Sequence, residues 1–344
     1  STKIVVFTLL VAALILTACV DQGPKTLKVM THDSFAVSEE VLAAFEEEHN
    51  VTIEFLAAGD TGSAVNKAVL SAGNPLADVF YGIDNTFLSR ALDGDIFLPY
   101  ESPMLAKVDD ALKLDDQNRV SPVDFGDVCL NYDKNWFAEN GVEPPADLDD
   151  LLKPEYKSLL AVENPALSSP GLSFLMGTIS KYGADGYLDF WQGLVDNDVM
   201  VVDDWEQAYY EQFTTWGGSR PIVVSYASSP PFEVLYAEEP VDEPPTGVVF
   251  ENGSCFRQIE FVGILKGTEN EALAQAWVDF MLDVTFQEDI PLQMYVFPVN
   301  PDAVLDPVFV DHLVIPDTFG ALDPAEIAAN RESWIDAWRE LVLK

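Results

Sequence analysis

The sequence predicts an α/β protein of two lobes joined by a hinge of crossing strands. Three observations carry this. Strand and helix patterns alternate from Thr26 to Leu92, a second alternating region starts near Ala146, and single strands near residues 125 and 260 fall between the two. At 344 residues, 48 % of them hydrophobic, the chain is long enough for two domains with substantial cores. The expected division is residues 26–124 plus 262–300 for lobe 1, and 125–261 plus 301–344 for lobe 2 with a C-terminal helix. Ahead of these lie a signal peptide, 1–18, and a tether, 19–25.

The N-terminal segment has Lys3, an apolar run from Ile4 to Leu16, and then Thr17, Ala18 and Cys19. That is the pattern of a secretory signal. The run falls short of the roughly 20 residues needed to span a bilayer. The quartet ending at Cys19 resembles a lipobox, in which the cysteine is lipidated. The chain would then be extracytoplasmic and anchored to the outer face of the cytoplasmic membrane, its only membrane contact. The plainer alternative is an ordinary signal peptide with an unrelated cysteine.

Thr26–Thr31 reads as a strand, and Ser38 caps a helix over Glu39–His49 with Val41, Leu42 and Phe45 on one face. Val51–Ala57 is the next strand. Gly59-Asp60-Thr61-Gly62-Ser63 turns into a helix, Ala77–Ile83 is a third strand, and a helix runs on through Leu92. Val123–Tyr132 and Cys255–Leu265 are the two connecting strands. Between them, strands are expected at Leu159–Glu163, Val199–Asp203 and Pro221–Tyr226, and helices at Ser173–Lys181, Tyr187–Asp196 and Trp205–Phe213. Ala237–Gly247 is acidic, proline-rich and read as an exposed loop. Glu271–Leu282 and Pro324–Val342 are helices, the last with Ile327, Trp334, Trp338 and Leu341 at core spacing.

With 18 basic and 58 acidic residues the formal charge is −40, which excludes nucleic acid and polyanionic partners and favours cations. Adaptation to salt would produce the same bias. Cys129 and Cys255 are candidates for a disulfide in an oxidising compartment, the alternative being two buried thiols. Three histidines and no G-x-S-x-G, H-E-x-x-H or Walker loop leave no enzymatic machinery, metal site or cofactor to propose. Acid pairs such as Asp149-Asp150 and Asp203-Asp204 could be imagined as glycosidase carboxylates, but in so acidic a chain they read as solvated faces.

Ligands of open α/β sheets sit beyond the carboxyl ends of strands. The loops there bring a carboxylate, Asp60, and aromatic faces from Trp205, Tyr226, Phe232 and Tyr295, a combination suited to a flat organic cation. Ser168-Ser169-Pro170-Gly171 precedes a helix and suits a phosphate. Asp84 is a second candidate carboxylate.

Several stretches bear on a family: THDSFA (31–36), ADVFYGIDN (77–85), PVDFGDVCLNYDK (122–134), SSPGLSFL (168–175), DDWEQAY (203–209), VVSYASSP (223–230) and PAEIAANRESWIDAW (324–338). In this order the chain resembles the thiamine-binding proteins of bacterial ABC importers over nearly its whole mature length. The resemblance implies a two-lobed periplasmic-binding-protein-like fold (type II) that closes over thiamine or a thiamine phosphate. It implies an ABC permease and its ATPase as partners, and a monomer. It places Asp60 against the charged ligand, Trp205 and Tyr226 around its rings, and Ser168 and Ser169 at a phosphate. His32 stands where the family pattern has Tyr, Phe232 where it has Tyr, and Tyr295 where it has Trp. The box stays aromatic, with two hydroxyl hydrogen bonds expected to be missing.

Two rivals share the fold. A ferric-ion-binding protein would use adjacent tyrosinates, and Tyr209-Tyr210 invites that reading, but consecutive helical residues point about 100° apart. A polyamine-binding protein wants carboxylates at both ends of its site, and only Asp60 and Asp84 present themselves.

Overall fold

The computed structural model describes residues 25–344 apart from 315 and 317, so the signal segment and Cys19 lie outside the described residues. Lobe 1 opens with β1 (Lys25–Thr31), α1 (Glu39–His49), β2 (Val51–Ala57), α2 (Thr61–Leu70), β3 (Val79–Asp84), α3 (Leu88–Asp93) and β4 (Phe97–Leu98). After β5 (Ser121–Asp133) come α4 (Lys134–Asn140), β6 (Leu160–Glu163), α5 (Ser169–Tyr182), α6 (Tyr187–Asp196), β7 (Met200–Val202), β8 (Ile222–Tyr226), α7 (Ser229–Leu235) and β9 (Thr246–Val249). The chain returns through β10 (Phe256–Leu265) and ends with α8 (Glu271–Met281), α9 (Val284–Gln293), β11 (Phe297–Pro298), α10 (Pro307–His312) and α11 (Pro324–Val342).

The strands run in the order β2-β1-β3-β10-β5-β8-β6-β7. The β2-β1-β3 and β8-β6-β7 groups are parallel, as helix-linked strands should be. Between them β10 and β5 are antiparallel. β5 pairs with β10 from Ser121 to Val128 and with β8 from Val128 to Tyr132, so one continuous strand passes from one lobe into the other. β10 does the same, pairing with β3 through Glu260–Ile264. These two strands are the hinge.

Local chemistry sets the ends of the elements. Ser38 and Asp60 cap α1 and α2 by accepting from backbone N–H groups, and Asn50 closes α1 in the left-handed conformation. Helix α5 begins four residues before the expected Ser173, because Ser168 caps it and Pro170 occupies its first turn, where no N–H is needed. Residues 229–231, past the strand expected to end at Tyr226, start helix α7. Two expectations need correction. The acidic loop ends early, since Thr246 and Gly247 pair with Asp133 and Tyr132 in β9. Trp205–Phe213 is also not a regular helix: Gln207–Gln212 form a π-helical turn, closed by Phe213 N donating to Ala208 O.

Cys129 in β5 and Cys255 just before β10 are joined by a disulfide that closes a segment 126 residues apart in sequence. A cross-link over so long a loop restricts the unfolded chain strongly. The Cys129→Ser/Cys255→Ser variant is expected to lose about 2–5 kcal/mol, read as a fall in the denaturation midpoint.

Candidate functional site

The two lobes meet over a cleft whose floor is the hinge. Lobe 1 contributes the loops after β1 and β2. Lobe 2 contributes the start of α5, the π-helical turn and the segment after β8. Residues 293–296, from the last residue of α9 onward, complete the wall.

Of the residues singled out in the sequence, His32, Asp60, Ser169, Trp205, Tyr226, Phe232 and Tyr295 line this cleft together. Ser168 and Asp84 do not. Ser168 caps α5, its Oγ accepting from Gly171 N at 3.4 Å. Asp84 is fully buried behind the wall, where it accepts from the Ser169 hydroxyl, from Thr86 and from the Phe87 N–H. Burial raises its carboxyl to about 6.

Aromatic rings form most of the wall. Trp205 stacks on Tyr209 (centroids 5.1 Å, 18°) and meets Tyr295 edge-on at 5.2 Å. Phe232 stacks on Tyr295 at 4.0 Å. Tyr295 carries a polar handle: its hydroxyl lies 2.8 Å from that of Tyr210. Tyr210 also lines the cleft, a place the expected regular helix would not give it beside Trp205. In the wider π turn the two rings meet at 5.5 Å. Tyr209 is fully buried and bonded to Glu233, with burial holding its hydroxyl well above the usual range. The pair is therefore divided between core and cleft rather than arranged for a shared ion.

Asp60 stands at the seam. Its carboxylate accepts from Thr61 N at 2.6 Å on its own lobe, and faces Ser169 N and Trp205 N of lobe 2 at 3.4 Å each. Burial raises its pKa. His32 lies in the half-buried rim, and burial lowers its pKa, so at neutral pH it is uncharged and does not oppose a cation. Its ring sits over Gly82, where an added Cβ would fall 2.3 Å from Cδ2.

The lobes touch beside the cleft. Gly62 N donates to Leu167 O at 2.9 Å, and a Cβ on Gly62 would lie 2.7 Å from that carbonyl and 2.9 Å from the carbonyl of Ala166. Gly62→Ala should therefore hold the lobes apart at a cost of roughly 1–3 kcal/mol, read as a larger radius of gyration in solution scattering.

The hinge supplies a buried acid pair that sequence reading passed over. Glu260 in β10 faces Asp124 in β5, and the Tyr81 hydroxyl lies 2.6 Å from Asp124 Oδ2 and 3.3 Å from Glu260 Oε2. Burial, reinforced by the neighbouring carboxyl, raises Asp124 well above the usual range, and burial lifts Glu260 from 4.5 to about 7. The groups around Glu260 are Asp124, Tyr81, His32, Asp84 and Asp60. Folded Glu260 thus keeps a proton that the unfolded chain releases between about pH 4.5 and 7, so its contribution to stability is lost as pH rises across that window. The melting temperature should fall by several degrees from pH 5 to pH 8, and Glu260→Gln should flatten that slope.

Two lobes, a two-strand hinge and an aromatic cleft between them define a solute-binding protein of the type II periplasmic-binding fold. The chain belongs to the bacterial extracellular solute-binding protein family, whose sequence profile matches residues 74–330. It is 30 % identical over 323 residues to the thiamine-binding periplasmic protein of Escherichia coli (strain K12), covering 92 % of this chain and 93 % of that one. With the thiamine-binding periplasmic protein of Haemophilus influenzae it shares 26 % over 347 residues, 99 % of this chain and 100 % of the other. The solved structure of a periplasmic thiamin binding protein matches with a TM-score of 0.83 at 27 % identity, over 93 % of this chain and 96 % of that one. A ferric binding protein from Campylobacter jejuni shares the fold at a TM-score of 0.73 and 18 % identity, over 92 % of this chain and 99 % of that one.

Proposed function

We propose that the chain is the receptor of an ABC importer for thiamine, held between the lobes as the unphosphorylated cation. The observation that carries this is the aromatic box of Trp205, Tyr210, Tyr226, Phe232 and Tyr295, bounded by the Asp60 carboxylate. Each ring face attracts a cation by about 0.5–2 kcal/mol, and the thiazolium ring is a flat cation of matching shape. The names of the relatives point to the same ligand.

A phosphate is poorly served. The Ser169 N–H faces Asp60, and the Ser169 hydroxyl donates to Asp84, so an incoming phosphate would meet two carboxyl groups where it needs donors. No Lys or Arg is among the described residues lining the cleft. This reading departs from the expectation that Ser168 and Ser169 contact a phosphate.

The chain performs no chemistry on its ligand. Closure excludes water and presents the closed lobes to a permease with its ATPase, the protein acting as a monomer. No described helix is long and apolar enough to cross a membrane, and a lipid on Cys19 would hold the receptor at the outer face of the cytoplasmic membrane. The test is a titration followed by tryptophan fluorescence, with thiamine, thiamine monophosphate, spermidine and ferric citrate in parallel. Saturable quenching by thiamine at micromolar concentration or below, with weaker response to the monophosphate, is expected. Silence up to millimolar thiamine overturns the ligand, and tighter binding of the monophosphate overturns the unphosphorylated form.

A further inference from the structure

The cleft floor carries two polar side chains that the cation box does not use. Gln258 and Glu260 stand two residues apart on β10, where alternation puts them on the same face, about 6–7 Å apart along the strand. Gln258 is 1 % exposed. Its Oε1 accepts from the Tyr226 hydroxyl at 3.0 Å, which orients the amide and leaves Nε2 buried without a partner. A buried, unpaired N–H donor facing a binding cleft is costly unless a ligand satisfies it.

The surroundings are shaped to keep this pair in place. Gly126 is the cross-strand neighbour of Gln258, and a Cβ there would fall 2.9 Å from the Tyr226 ring, so only glycine lets Tyr226 lie against the strand and reach the amide. Glu260 is held by Tyr81, by Asp124 across the ladder and by His32, whose Nε2 is 3.4 Å from Oε1.

We propose that Gln258 and Glu260 determine specificity by reading the amine-bearing edge of an aminopyrimidine. Gln258 Nε2 donates to a ring nitrogen, and the Glu260 carboxyl accepts from the adjacent exocyclic amine. A donor beside an acceptor matches an acceptor beside a donor, as in amide recognition of adenine. The inference rests on the thiamine reading and adds what selects the uncharged half of that molecule.

The test compares thiamine with its 4-oxo analogue, in which the edge presents a ring N–H and a carbonyl, and with the pyridinium analogue that keeps the aminopyrimidine. Calorimetric titration of the wild-type protein at pH 8.5, above the value of about 7 near which Glu260 ionises, should give thiamine and the pyridinium analogue affinities within about tenfold, and the 4-oxo analogue at least about a hundredfold weaker, since an acceptor-only carboxylate and the Gln258 donor are then both mismatched. Glu260→Gln should weaken thiamine and shrink the preference over the 4-oxo analogue to under about tenfold, because an amide can donate to the carbonyl. Gln258→Leu, which leaves the acid pair intact, should weaken thiamine by about tenfold or more and leave the 4-oxo analogue unchanged. Each preference is a ratio measured on one protein, so a loss of folded fraction cancels. A wild-type preference under threefold, or a Glu260→Gln protein that keeps the wild-type ratio, overturns the inference while the thiamine assignment stands. A wild-type protein that binds none of the three overturns that assignment, and the inference with it.

Discussion

Asp60→Asn is expected to weaken thiamine binding by roughly 30- to 1000-fold, with the melting temperature of the unliganded protein almost unchanged. The first half follows from charge. Asp60 is a carboxylate on the wall of the aromatic cleft, which Glu206 and Glu260 also line, and removing one partner of a desolvated charge pair costs about 2–4 kcal/mol, which falls mainly on dissociation. The second half follows from geometry. Asn caps a helix as well as Asp does, so the bond from Thr61 N that starts α2 survives. Asp60→Ala would confound the two, since losing the cap adds about 1 kcal/mol of instability. Asp60 also faces two N–H groups of the opposite lobe, so the substitution loosens closure as well as the ion pair. Calorimetric titration beside a thermal melt checks both; unchanged affinity would remove Asp60 from the site.

The second large effect lies at Trp205. Its indole is 7 % exposed, backed by Tyr209 and held by Nε1 donating to Ser225 Oγ at 3.0 Å, so its face toward the cleft is rigid before any ligand arrives. Preorganised aromatic surface is where binding energy concentrates. Trp205→Ala should cost about 1.5–3 kcal/mol, or roughly 10- to 100-fold in affinity. Trp205→Phe keeps a ring face and should cost under about tenfold. The chain has seven Trp, and Trp191, Trp277 and Trp338 are sealed in the core. Ligand quenching should therefore fall away in Trp205→Ala; a normal quench would assign the signal to another indole.

Much of the architecture was legible in local pattern. Helices Glu39–His49 and Pro324–Val342 fall where periodicity and caps put them, and helix Tyr187–Asp196 and strand Val51–Ala57 where periodicity does. The short β9 and the helices α9 and α10 were missed. β9 is four residues long inside a proline-rich run, α9 contains Pro291, and α10 has only six residues. Such segments are stabilised by what they pack against, not by intrinsic preference.

The cleft divides the same way. Residue types at strand ends placed Asp60, Trp205, Tyr226, Phe232 and Tyr295 near one another, since strand direction and the carboxyl-end rule need only the order of elements. They could not separate the wall from its supports. Asp84 and Ser168 sit at equally good positions in the sequence, yet Asp84 is occupied by Ser169, Thr86 and Phe87 behind the wall, and Ser168 turns to cap α5 at Gly171.

The sequence by itself determined the two-lobed α/β class, the hinge strands and the acidic, aromatic character of the cleft, because hydrophobic period, caps and composition act over a few residues. Only the tertiary structure decided that Tyr210 turns toward the cleft, that Gln258 and Glu260 form its floor and that Asp60 spans the seam. Those assignments depend on a π turn that changes which residues share a face, and on β5 and β10 pairing across more than a hundred residues. Side-chain direction in such places is set by long-range register, which no window of sequence contains.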